Sequence, residues 1–360
     1  MMLARSTIAL LAALLLAAPA AAQLQLTPPA TTPSPAPEKS KTKPHTVTKK
    51  TVTKKEAAPA PKPSASPSPP PAATVIPAPQ PDDPNVDLVF GAYQRGQYKT
   101  AFDLATKRAQ AGDAKAMTML GELYANAMGV KRDYAKAAEW YKRASDAGDR
   151  AGMFALAMMR IGGRGGPVDK PDAVKLLASA AKLGEPKAAY NLALLYLDGQ
   201  TLPQDLKRSA ELLRQAADAG LPEAQYALAT FYKEGTGVEK DLDKAVRLLQ
   251  AASLADNVDA EVEYAIALFN GTGTPKNQPA AVALLRKAAR QNSPIAQNRL
   301  AWVLINGMGT AVDKVEGFKW HIVAKTGGKG DPELDKQLSD LSPDDRAKAE
   351  AGARKWLGTK

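Results

Sequence analysis

A 36-residue period runs six times through this chain, from Ala114 to about Lys329, without an inserted or deleted residue. Leu120, Leu156, Leu192, Leu228, Tyr264 and Leu300 fall in one column of it; Asp133, Asp169, Asp205, Asp241, Asn277 and Asp313 fall in another. A fixed period of this length means stacked supersecondary units, none able to bury its apolar face alone. The chain is therefore expected to form an all-α solenoid, a quasi-one-dimensional array with an extended surface suited to binding. That favours a non-catalytic scaffold over an enzyme and leaves the partner unnamed.

One unit, Pro222 to Asn257, shows the construction. Ala224, Leu228, Phe231 and Tyr232 are spaced as on an amphipathic helix that ends at Gly235. Gly237 follows, and Gly129, Gly165, Gly273 and Gly309 stand in the equivalent places, where a tight turn between helices needs positive φ. Repeat three has Thr201 there, so its loop should differ in shape. The Asp/Asn column then precedes a second apolar-periodic run, as a helix N-cap does. Its Ala245, Leu248, Leu249 and Ala252 share one face. Two columns of small residues, Gly121 through Ala301 and Ala144 through Ala324, mark close helix approach, where a larger side chain would overpack the stack.

The first full repeat carries Leu120, Gly121, Tyr124, Gly129, Val130, Asp133, Lys136, Ala137, Trp140, Tyr141, Ala144 and Gly148. This pattern resembles the Sel-one-like repeat, a relative of the tetratricopeptide repeat, over roughly residues 84–329. The resemblance implies a right-handed superhelix of antiparallel helix pairs and an adaptor role in protein complexes. Residues 84–113, with a turn at Gly96, resemble a plain tetratricopeptide unit that caps the array before the six repeats of 114–329. Residues 330–360 read as two polar capping helices, the second starting at Ser342 and Pro343.

The N-terminus reads as an address. Arg5 precedes an apolar stretch from Ile8 to Ala22 that closes with three alanines, the layout of a secretory signal peptide over 1–22. The alternative, an uncleaved anchor, falls short of the roughly 20 apolar residues of a span. A chain without cysteine has no disulfide, thiolate metal site or lipidated thiol. A soluble periplasmic or secreted protein with no transmembrane segment after cleavage is the expectation. Residues 23–83 are a Pro/Ala/Lys-rich linker with little to fill a core. Its Lys39–Lys62 stretch reads as a solvated tether, or as a handle for an anionic envelope polymer such as an acidic glycan or peptidoglycan. Of the +11 net charge, residues 84–360 carry 39 basic against 33 acidic groups, a mixed surface rather than a nucleic-acid stripe.

Catalytic motifs are thin. Ser179-Ala180-Ala181-Lys182 with Lys325-Thr326-Gly327 matches pieces of penicillin-recognising serine enzymes, but Ala180 already belongs to a small-residue column and no S-D-N accompanies them. The histidines, His45 and His321, are too few for a metal site, and His321 reads as a packing or surface residue. No cofactor motif is present. The better candidate is a face lined by the first helices, expected to be concave by analogy with tetratricopeptide arrays. Its columns vary where core columns do not, and they offer Glu122, Met158, Tyr190, Leu194, Tyr226, Thr230, Ile266, Phe269, Asn298 and Trp302 to a protein or peptide partner of the cell envelope. The competing reading of the aromatics is core packing.

Overall fold

The computed structural model describes residues 87–358. The expected signal peptide, the linker and its Lys39–Lys62 stretch lie outside the described residues. Those residues form sixteen helices and no strand. Two helices come first, α1 (Leu88–Gln94) and α2 (Tyr98–Gln110). Six pairs follow: α3 (Ala114–Asn126) with α4 (Tyr134–Asp146), α5 (Arg150–Gly162) with α6 (Lys170–Lys182), and α7 (Pro186–Asp198) with α8 (Leu206–Asp218). The next are α9 (Pro222–Glu234) with α10 (Leu242–Leu254), α11 (Val258–Asn270) with α12 (Gln278–Arg290), and α13 (Pro294–Asn306) with α14 (Lys314–Thr326). Two more close the array, α15 (Pro332–Ser339) and α16 (Pro343–Leu357). Successive helices from α1 to α15 pack on one another, and α16 folds back onto α14. None is long and apolar enough to cross a membrane.

The Asp/Asn column starts every second helix. Asp133, Asp169, Asp205, Asp241, Asn277 and Asp313 each accept from the backbone N–H three residues on, at 2.9 to 3.1 Å. Such a cap contributes about 1 kcal/mol to each helix. The same residue's own N–H donates to a carbonyl near the end of the preceding helix, as from Asp241 to Tyr232 at 2.9 Å, and so closes the loop.

Hydrogen bonding to Lys244 holds the Asp241 carboxyl below the usual carboxylate range. Lys325 and then His321 do the same for Asp335, and Lys348 and then Ser342 for Asp345. These groups stay charged to lower pH in the folded chain than in the unfolded one. Their stabilisation is full above about pH 4 and disappears as pH falls through the lowered values. Thermal melts should therefore show a falling midpoint from pH 4 to pH 2, less steep in Asp241→Asn.

The loop glycines do more than supply positive φ. Gly237 has φ +64°, and a Cβ there would strike the carbonyl of Leu206, at the start of the previous repeat's second helix. Gly165 stands in the same relation to Tyr134, Gly273 to Leu242, Gly309 to Gln278 and Gly129 to Tyr98. Each such loop braces the unit before it. Repeat three differs, as Thr201 leads one to expect. Elsewhere the second residue past the first helix bonds back to a carbonyl of its last turn, as Thr236 does to Phe231 at 3.0 Å. In repeat three the Gln200 N–H goes instead to the Asp198 side chain at 2.8 Å.

Both small-residue columns are buried. Ala144, Ala180, Ala216, Ala252, Ala288 and Ala324 have no exposed surface. A Cβ on Gly121 would lie 2.5 Å from the Tyr141 ring. A third small column, Ala137, Ala173, Ser209, Ala245, Ala281 and Gly317, is buried as well, and there the Ser209 hydroxyl donates to the Ala193 carbonyl at 2.8 Å.

One loop departs from its own rule. The left-handed residue after the first helix is glycine in repeats two to six but Ala127 in the first, at φ 58°. A left-handed conformation costs a Cβ-bearing residue roughly 1–2 kcal/mol. Ala127→Gly should raise stability by about 1 kcal/mol, read as a higher urea midpoint.

Candidate functional site

Along the first helices, positions 3 and 8 are buried in every repeat and position 7 in all but Tyr264, while positions 2, 5, 6 and 9 are the more open ones in most repeats, with Val262, Ala227, Leu194 and Thr230 buried among them. The expected contact residues divide along this stripe. Met158, Tyr190, Tyr226 and Ile266 are half-buried and so have surface to offer. Leu194, Thr230 and Phe269 are less than a tenth exposed. They belong to the packing, so the expectation of an open contact residue is corrected at these three positions. The Thr230 hydroxyl, for example, is turned back to the Tyr226 carbonyl of its own helix at 3.3 Å.

Three others are half-buried and engaged within the chain. Glu122 accepts from Asn126 at 2.9 Å and from the Tyr141 hydroxyl at 3.5 Å. The Trp302 indole N–H donates to Asp331 at 2.8 Å, and the Asn298 amide donates to the Lys329 carbonyl at 3.3 Å. Trp302 and Asn298 thus tie the sixth repeat to the segment that starts α15.

His321 is wholly buried. Its Nε2 lies 2.9 Å from Asp335, which also pairs with Lys325 at 2.9 Å. This cluster fastens the C-terminal cap. Ser179 stands on α6 and Lys325 on α14, four repeats along. A solenoid unit contacts only its neighbours, so these motif fragments do not meet.

The tyrosines of α7 and α9 have acidic company. Burial, and then Glu223, raise the Tyr190 hydroxyl to about 12. Burial also raises Tyr226, followed by Glu263, Asp259, Glu234 and Tyr190. Asp259 is held above the usual carboxylate range by the surrounding protein and then by Glu263. Lys233 pairs with Glu263 at 3.1 Å. Arg299 is pushed below its ordinary value by burial, against the pull of Asp331 and Glu263. The face around Tyr226 therefore combines aromatic surface with an excess of carboxylates over cations. Sequence reasoning passed over Glu223, Asp259 and Glu263. For Glu223 and Asp259 the available signal was position 2 of the repeat, acidic only in repeats four and five; Glu263 stands at position 6.

A stack of short-looped helix pairs, small at its contacts and open along its first helices, defines a tetratricopeptide-like repeat solenoid. The Sel1 repeat family matches residues 114–149, 150–185, 186–221, 222–257, 258–293 and 294–328, and the chain belongs to that family. Proteins of this kind are generally interaction scaffolds. The structure is similar to a Sel1 repeat protein from Oxalobacter formigenes. That pair shares 26% identity at a TM-score of 0.61, over 66% of this chain and 98% of the other. It also resembles c5321, a protective antigen of uropathogenic Escherichia coli strains displaying an SLR fold. There the identity is 24% and the TM-score 0.50, over 75% of this chain and 67% of that one, a likeness of fold alone. No curated protein matches the chain significantly.

Proposed function

We propose that the chain is an exported, non-catalytic scaffold of the periplasm or extracellular space, which holds a protein or peptide partner on the face of its first helices. The observation that carries this reading is the run of partly exposed Met158, Tyr190, Tyr226 and Ile266 along successive repeats. Large apolar and aromatic side chains on a rigid surface are typical anchors, because little ordering is left to do on binding. The apolar stretch ahead of Gln23 supports export.

Crosslinking in intact cells of the source organism tests the reading, comparing the full chain with Tyr190→Ala/Tyr226→Ala. Trp302 is a poor choice for this test, since its loss would also free Asp331. Both proteins should show the same helical circular dichroism. A partner captured by the first and lost by the second supports the proposal, and equal capture by both overturns it.

A further inference from the structure

Position 6 of the first helix reads Met119, Ala155, Asn191, Ala227, Glu263 and Arg299, so the sixth repeat alone places a cation in that column. Arg299 is partly buried on α13, and its Nε has no exposed surface and no acceptor among the described residues. Its two terminal nitrogens are not enclosed in this way and remain within reach of a ligand. The two carboxylates that bear on it are engaged elsewhere. Glu263 holds Lys233 at 3.1 Å, while Asp331 accepts from the Trp302 indole at 2.8 Å and caps α15. We propose that Arg299 seats a carboxylate of the peptide partner on its terminal nitrogens, with apolar side chains of the same peptide laid on Ile295 and Trp302. The inference rests on the scaffold reading above and names the chemistry of the partner.

Three observations support an acidic occupant. A guanidinium keeps its charge, and taking it out of water without an acceptor is unfavourable. A carboxylate from outside would return what burial removes, through two parallel charge-assisted bonds. Second, a cation kept for folding would be expected to hold an acid of its own chain, as Lys287 holds Glu261 at 2.7 Å; Arg299 holds none among the described residues. Third, Ile295 stands one turn before Arg299 on the same side of the helix and is 44% exposed, and Trp302 stands one turn after it, partly exposed. A peptide covering this apolar surface would exclude water from the ion pair and strengthen it. A basic or neutral group would leave the guanidinium unmatched. The carboxylate has two possible sources, an Asp or Glu side chain and the C-terminus of the partner.

The test selects random twelve-residue peptides against the full chain from two libraries, one displayed with free C-termini and one with the C-termini fused. Enriched peptides are synthesised with a fluorescent label and titrated by anisotropy. They should share an Asp or Glu, or depend on a free C-terminus. Neutralising that group, by Asn or Gln in one arm and by amidation in the other, should weaken binding about tenfold, and the arm that responds names the source. Arg299→Met should weaken the same peptides about tenfold and add little to the loss in the neutralised ones, so that the double-mutant cycle assigns the effect to the pair. Arg299→Lys, which keeps the charge and loses the fork, should bind between the two. The urea midpoint of Arg299→Met should equal or exceed that of the parent, because the variant removes a desolvated charge with no acceptor of its own. A midpoint well below the parent's would assign Arg299 to the packing and overturn the proposal. Peptides that lose binding in Tyr190→Ala/Tyr226→Ala, yet carry no required carboxylate or bind Arg299→Met equally well, would overturn this inference and leave the scaffold face standing. Failure to select any peptide sensitive to the tyrosines or to Arg299 would overturn both.

Discussion

Gly237→Ala lowers the urea midpoint sharply, by the equivalent of about 2–5 kcal/mol, whereas Gly220→Ala costs about 1 kcal/mol. Both glycines have positive φ, +64° and +83°, so backbone strain is common to the two. They differ in what surrounds them. Nothing lies within 4 Å of a Cβ on Gly220, while a Cβ on Gly237 meets the Leu206 carbonyl and its neighbouring backbone. A flexible side chain could swing aside, but the first residue of a capped helix cannot without moving that helix. The extra cost is thus assigned to the junction between repeats three and four. Equal midpoints for the two variants would show that φ alone accounts for the glycine and that the bracing contact contributes nothing.

The second large effect concerns a buried charge. Glu261 on α11 has no exposed surface, and its Oε1 meets Lys287 at 2.7 Å and the Gln291 amide at 3.3 Å. The same position carries Gln225 and Gln297, which donate to the Ala217 and Ala289 carbonyls at 3.3 and 3.1 Å. Lys287→Ala leaves a carboxylate in the interior without its cation and should cost about 3 kcal/mol, toward the low end for buried pairs because the Lys287 side chain is itself 43% exposed. Glu261→Gln restores the amide that the neighbouring repeats use and should be neutral or slightly stabilising. Combined, Glu261→Gln should rescue most of the loss from Lys287→Ala, so the double-mutant cycle isolates the charge. A double variant as unstable as Lys287→Ala would place the cost in lost packing of the lysine stem.

Much of the fold was legible because its determinants recur. An N-cap aspartate, a left-handed glycine and an alanine at a helix contact each answer to local geometry, and local geometry repeats every 36 residues. Thr201 was legible for the same reason, as a break in a column. What escaped the sequence lies between repeats or beyond them. Met158 and Ile266 share a column with Leu194 and Thr230, yet the first two are open and the others buried. Cover at that column depends on the particular side chains across the seam, which the period does not encode. Trp302 read as a groove anchor because its partner, Asp331, stands past the last repeat, where no register foretells a contact. The carboxylates around Tyr226 come from two helices, α9 and α11, and share no single column.

The loop of repeat three gives the array a mechanical asymmetry. Five glycine loops press backbone to backbone against the unit before them, and the sixth position, Thr201, has no glycine to permit it. In a linear stack each junction sets the direction of everything beyond it. A change of angle at this joint, between repeats two and three, swings repeats three to six and their cap as one lever, while the same change at the last junction moves only the cap. The run of partly exposed first-helix side chains straddles this joint, with Met158 on one arm and Tyr190, Tyr226 and Ile266 on the other. Its span is thereby adjustable at the one point where the chain omits a brace.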